Sequence, residues 1–141
     1  MQLTKEAIIE QFKTHTKNTL IETLDIELID LGTDFLTLKM PVTPKVHQPD
    51  GVLHGGATVA LAETCGSFAA ELLLDTKNFF VRGIEISANH LKSVKDGFVY
   101  AKATFIHKGR TTQLFEIKVT NDTDDLISLC KLTTVSLPRT K

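Results

Sequence analysis

The sequence predicts an α+β fold in which one long apolar helix is matched to a dominant antiparallel sheet. Three features carry that reading. The stretch Val52–Leu74 is the most apolar in the chain and is rich in small residues. Beyond Gly83 come strand-like segments separated by turn residues. Upstream, Leu36, Leu38 and Met40 fall on one face at the period of two expected of a strand.

Taken in order, Thr4 is placed to cap a short helix whose apolar stripe is Ala7, Ile8 and Phe12. Strands are predicted at Asp25–Ile29 and Phe35–Met40, with a turn at Gly32. Pro41, Pro44 and Pro49 then break the ladder, and Gln48-Pro49-Asp50-Gly51 reads as a turn. The long helix is predicted over Gly56–Leu74, roughly 28 Å of rise. Its small residues, among them Ala62, Gly66, Ala69 and Ala70, let other backbones approach closely, which suits a helix enclosed by a curved sheet. Strands follow at Gly83–Leu91, Phe98–His107, Thr111–Thr120 and Leu126–Leu137. Asp96-Gly97, Lys108-Gly109-Arg110 and Asn121–Asp125 are expected to close hairpins between them.

At 141 residues the chain suits one domain, 1–141, with a single core. The formal net charge is −1 and the basic residues are dispersed, which excludes the concentrated basic stripe of a nucleic-acid binder. Cys65 and Cys130 form no CxxC and read as reduced thiols of a cytoplasmic protein. The N-terminal residues lack the apolar core of a signal peptide. The apolar stretch carries His54, Glu63 and Glu71 and reads as a buried helix, with no membrane partner expected. The five histidines show no HxxxH spacing, so no metal site is expected.

Chemistry concentrates around His54-Gly55-Gly56 and Glu63. Gly55-Gly56 at a helix start leaves N–H groups free of side chains, at the positive end of the helix dipole, ready for a polarised carbonyl oxygen. Taken alone, a glycine pair is more often a hinge. Glu63 has Val59, Ala60, Gly66 and Ser67 at the spacings where a mid-helix acid usually finds a cation. Burying such a carboxylate is costly unless something engages it, which asks for a chemical reason. Ser67 shares the face of Glu63. His54 and Glu63 are nine positions apart, ~13 Å of helix rise, so a joint site would take the two from different subunits. Cys65 points elsewhere and reads as a small core residue. Two basic segments at strand ends, His90-Leu91-Lys92-Ser93 and His107-Lys108-Gly109-Arg110-Thr111-Thr112, suit phosphate, although ordinary charged turns look the same.

Together, QPDGVLHGGATVALAETCGSFA, GIEISANHLKS and HKGRTTQ resemble the hotdog-fold acyl-CoA thioesterases of the phenylacetic-acid-degradation type. That branch includes 1,4-dihydroxy-2-naphthoyl-CoA hydrolases and the second type of 4-hydroxybenzoyl-CoA thioesterases. The resemblance spans Asp25 to Leu137. It implies a central helix wrapped by an antiparallel sheet, in homodimers that share sites and often pair into tetramers.

It further implies that Glu63 attacks the thioester carbonyl or activates water, that Gly55 and Gln48 contact the carbonyl oxygen, that His54 positions the thioester and departing sulfur, and that Ser67 holds the attacking water. Gly83, His90, Leu91, Lys92, Ser93, His107, Lys108, Gly109, Arg110, Thr111 and Thr112 match positions that bind pantetheine and nucleotide phosphates. The substrate would be a small, possibly aromatic, acyl-CoA, with coenzyme A as part of the substrate and no cofactor or metal. One departure is Asp50, where members often carry an aromatic residue; an acid there disfavours a carboxylate-bearing acyl group. A non-catalytic acyl-CoA-binding protein on the same fold is the alternative, against which the retention of Glu63, Gln48 and Ser67 argues. A dehydratase would need a different acid–base pair.

Overall fold

The computed structural model describes residues 3–140. Thr4 caps α1 (Lys5–His15), its side chain accepting from the Ala7 N–H, and Phe12 anchors that helix in the core. A short α2 (Leu20–Thr23) leads into β1 (Glu27–Leu31) and β2 (Phe35–Pro41). The first strand begins two residues later than the sequence suggests, because Asp25 adopts a left-handed turn conformation (φ 56°). After the proline-rich loop comes α3 (Gly55–Leu73), then β3 (Phe79–His90), β4 (Phe98–Lys108), β5 (Thr112–Asn121) and β6 (Leu126–Pro138).

The six strands form one antiparallel sheet in the order β1-β2-β4-β5-β6-β3. Three of the expected hairpins are present, β1–β2, β4–β5 and β5–β6. The hairpin expected at Asp96-Gly97 is not: β3 crosses to pair with β6 at the far edge, and β4 pairs with β2 and β5. Gly97 does supply the positive φ (74°) of a tight turn. That turn closes against the loop after β2 instead, the Val42 N–H donating to the Gly97 carbonyl at 2.8 Å.

One row of the sheet's inner face runs Leu36–Ala103–Ile117–Cys130 across four strands. Against this face packs the stripe Thr58, Leu61, Ala62, Cys65, Gly66, Ala69 and Ala70 of α3, spaced every three to four residues. Gly66 packs closely on the sheet: a Cβ there would stand 2.6 Å from Leu132 Cδ2. The opposite face of α3 carries the exposed column Glu63, Ser67 and Glu71. Leu36, Leu38, Met40, Phe115, Ile117 and Leu132 have no exposure, and each contributes on the order of 1.5–3 kcal/mol by leaving water.

Candidate functional site

His54 is the N-cap of α3. Its backbone is extended (φ −67°, ψ 132°), and its Nδ1 accepts from the Gly56 N–H at 2.7 Å. Gly55, the first helical residue, has no intrahelical acceptor for its own N–H, so that donor is free at the positive end of the helix. A Cβ at Gly55 would stand 3.0 Å from His90 Nε2, a tight approach to which the imidazole would have to yield by a few tenths of an ångström.

Gln48, Gly55, Thr58, His90, Leu91, Lys92 and Ser93 line a cleft of about 310 Å³. Backbone ties build it. The Gln48 N–H donates to Val52 O at 2.8 Å across a turn whose Gly51 has φ 84°. The Leu53 N–H donates to Val94 O and the Leu91 N–H to Ile127 O, both at 2.8 Å. Beneath the cleft, His90 Nδ1 lies 3.0 Å from the hydroxyl of buried Ser128. Lys92 is paired: its Nζ is 2.7 Å from Asp125 Oδ2. That lysine, with Thr123 and Asn121, holds the Asp125 carboxyl down to about 2. Lys92 is therefore less available to an anion than its sequence context suggests.

Glu63 and Ser67 sit elsewhere, on the outer column of α3. Glu63 has no ion-pair partner among the described residues. In the single chain it is exposed, so its isolation does not create the burial cost the sequence implied. Across from it is Gly83 on β3, where a Cβ would lie 3.8 Å from Glu63 Oε2.

His107 and Lys108 end β4, Gly109, Arg110 and Thr111 form the β4–β5 connection, and Thr112 opens β5; the turn is closed by the Gly109 N–H donating to Thr112 O at 3.0 Å. The ammonium of Lys108 lies 4.9 Å from the Phe105 ring centroid, and Arg110 is exposed. Buried Gln113 props this hairpin. Its Nε2 donates to Gly109 O at 2.8 Å and to Ser136 Oγ at 3.1 Å, while Oε1 accepts from Thr134 at 2.7 Å. Thr134 is the register partner of Gly83.

The sequence-derived residues thus fall into two groups. Gln48, His54, Gly55 and the segment His90–Ser93 gather at the start of α3. Glu63, Ser67, Gly83 and the basic hairpin gather at the other end of β3. Gly83 and His90 lie seven positions apart along β3, roughly 23 Å. One chain does not bring the groups together.

Two features escape sequence reasoning. An apolar cleft of about 420 Å³ lies between α1, β1 and the C-terminal half of α3, walled by Ile8, Phe12, Leu28, Phe68 and Leu72, with Gln11, His15 and Glu71 among its polar groups. Its aromatic wall is the edge-on pair Phe12–Phe68, with centroids 4.8 Å apart, a contact between distant segments that no periodicity reveals. The other feature is Ser128, which reads as an ordinary strand residue. The thiols match expectation: Cys65 is fully buried, donates to Leu36 O and Ala101 O, and is pushed up to about 12 by burial.

A sequence profile of the thioesterase superfamily matches residues 50–128. A 1,4-dihydroxy-2-naphthoyl-CoA hydrolase of Listeria monocytogenes is 42% identical over 112 residues, covering 79% of this chain and 90% of that protein. Among solved structures, a mutant thioesterase from Pseudomonas aeruginosa superposes with a TM-score of 0.89 at 38% identity, covering 93% of this chain and 94% of the other. A thioesterase from Haemophilus influenzae gives a TM-score of 0.87 at 37% identity, covering 98% and 93%.

Proposed function

The chain belongs to the thioesterase superfamily, and on that premise we propose that it hydrolyses a small acyl-CoA to the free acid and CoA. The observation that carries this reading is Glu63, a carboxylate without a cation, held on an open helix face opposite a glycine. Either it attacks the acyl carbon itself, or it takes a proton from a water that Ser67 helps to hold. In the first route a mixed anhydride forms as the C–S bond breaks, and water then hydrolyses it, restoring Glu63 and supplying the proton for the thiolate. In the second the water oxygen joins the acyl carbon, the C–S bond breaks, and the proton taken by Glu63 passes to the departing thiolate. The Gly55 N–H, with Gln48 beside it, is suited to hold the oxyanion, because it is a preorganised donor with no protein partner. His54, with Nδ1 committed to Gly56, would present its other nitrogen to the thioester.

A second copy would complete the site. The twelve-residue β3 is an edge strand with Ile84 61% exposed, and such an edge invites pairing with another chain. Antiparallel pairing turns one copy end for end and carries its Glu63–Gly83 region toward the His90 end of the other. Each dimer then holds two equivalent sites. Further pairing into tetramers would cover the outer sheet face, where Ile106 is exposed.

The apolar cleft suits the acyl group, since Phe68 and Leu72 extend it from the turns just beyond Glu63. His107–Thr112, with the free charge of Arg110, suits the nucleotide phosphates. No cofactor or metal is needed beyond coenzyme A as part of the substrate. The test is thiol release from a panel of aromatic and aliphatic acyl-CoAs. Hydrolysis of an apolar acyl-CoA is expected, and release from none of the panel overturns the proposal.

A further inference from the structure

Two imidazoles lie beside the glycine pair, His90 next to the Gly55 α-carbon and His54 against Gly56, and each has one ring nitrogen engaged by the protein. For His54 it is Nδ1, which accepts from the Gly56 N–H at 2.7 Å. A nitrogen that accepts carries no proton, so the neutral ring carries its proton on Nε2.

His90 is held the other way round. Its Nδ1 lies 3.0 Å from Ser128 Oγ, and the Ser128 hydroxyl donates to the Asn89 carbonyl at 3.1 Å. A hydroxyl has one proton, and a carbonyl can only accept. With that proton on the carbonyl, Oγ presents a lone pair that suits an N–H on His90 Nδ1. In that tautomer the neutral His90 ring has a bare lone pair on Nε2, which lies 3.0 Å from where a Gly55 Cβ would stand. Ser128 has no solvent exposure, and among the described residues its hydroxyl is in hydrogen-bond range of the Asn89 carbonyl, the His90 imidazole and Cys130 Sγ.

We propose that Ser128 is a positioning residue that fixes His90 as the Nδ1–H tautomer, opposite to His54, so that one imidazole donor and one imidazole acceptor lie beside the glycine pair. The donor matches a sulfur or carbonyl oxygen, and the acceptor matches an amide N–H. The thiol arm of coenzyme A offers both, an accepting thioester at its tip and amide N–H groups behind it. Opposite tautomers would therefore read the arm in one direction only. The substrate half of this inference rests on the thioester reading above; the tautomer half does not.

The test is a long-range proton–nitrogen correlation spectrum of the ¹⁵N-labelled, substrate-free protein at a pH where both rings are neutral, with His54→Ala and His90→Ala assigning the signals. The expected result is Nε2–H for His54 and Nδ1–H for His90. Ser128→Ala should shift His90 toward Nε2–H and leave His54 unchanged, whereas Ser128→Thr, which keeps a hydroxyl, should retain the wild-type tautomer. Loss of one hydrogen bond of ordinary strength should raise KM for acyl-CoA about fivefold in Ser128→Ala, with less change in kcat. His90 found as Nε2–H in the wild type, or unmoved in Ser128→Ala, overturns the proposal. The wild-type spectrum alone decides the first point if a variant fails to fold. A tautomer switch with unchanged KM overturns the substrate contact. Absence of any acyl-CoA hydrolysis by the wild type overturns the thioester reading and leaves the tautomer result standing.

Discussion

Gln113 holds Gly109 from inside the sheet: its amide nitrogen donates to the Gly109 carbonyl at 2.8 Å while its oxygen accepts from Thr134. The basic hairpin is thereby tied to the same strand pair that carries Gly83. Gln113→Leu keeps the bulk but leaves the Gly109 carbonyl and the Thr134 and Ser136 hydroxyls without this partner. Stability in urea should fall by about 1–3 kcal/mol. KM for acyl-CoA should rise with it, and a variant as stable as wild type would show that the hairpin is held by its own turn.

Glu63→Gln should leave the fold and CoA affinity nearly intact, because the carboxylate is exposed and has no ion pair to lose among the described residues. Removing a nucleophile or general base should lower kcat by at least ~10²-fold. Turnover near the wild-type rate would remove Glu63 from the mechanism. Buried Cys65, with its thiol pushed up to about 12, should stay silent to the thiol reagent used in the assay.

Replacing Lys108 and Arg110 together by alanine should raise KM for acyl-CoA and change kcat much less, since remote phosphate contacts act alike on ground and transition states. An acyl-pantetheine, which lacks the nucleotide, should be hydrolysed by this variant as by wild type. An equal loss on both substrates would point to a collapsed hairpin.

Sharing of the site between copies can be tested by mixing. Glu63→Gln and Gln48→Ala chains, each inactive alone, should regain activity through heterodimers, in which one site carries both defects and the other neither. With subunit exchange verified, no regain would mean that each site is built within one chain.

Asp125 sets a pH dependence of stability. Its carboxyl lies below the ordinary 3.8, at about 2, first because Lys92 donates to it. A depressed carboxyl stabilises the fold above the unfolded pKa, and the contribution is lost as pH falls toward the folded value. Asp125→Asn should be less stable than wild type near pH 6, and the two should converge near pH 2. The difference should be small because the pair is exposed. A gap that persists at pH 2 would assign the effect to the Thr123 and Asn121 contacts.

Much of this architecture was legible in the residues. The Thr4 cap and the alternation of Leu36, Leu38 and Met40 are local signals, and local signals survive folding. The small-residue stripe of α3 announced a close partner. The destination of β3 was not legible, because Asp96-Gly97 specifies a turn without specifying which strands it joins, and non-local pairing with β6 decided that. For the site, the isolation of Glu63 and the glycines before it stood out, as did their separation along the helix. The pairing of Lys92 with Asp125 and the support of His90 by Ser128 join residues more than thirty positions apart, and neither residue type signals its partner.

The contact at Gly66 bears on how the fold is won and lost. A glycine in mid-helix lowers helix propensity by roughly 1 kcal/mol relative to alanine, and most of a helix's stability in a folded protein comes from the packing of one face. Leu132 Cδ2 stands 2.6 Å from where a Gly66 Cβ would be, so an alanine there would gain helix propensity only by displacing that side chain within the core. Its ordering is thus lent by the sheet, and the amide protons at the centre of α3 should exchange with solvent only through openings that also unzip β5 and β6. The outer column bearing Glu63 would then never persist in a half-folded chain, and reactivity would be confined to the fully assembled state.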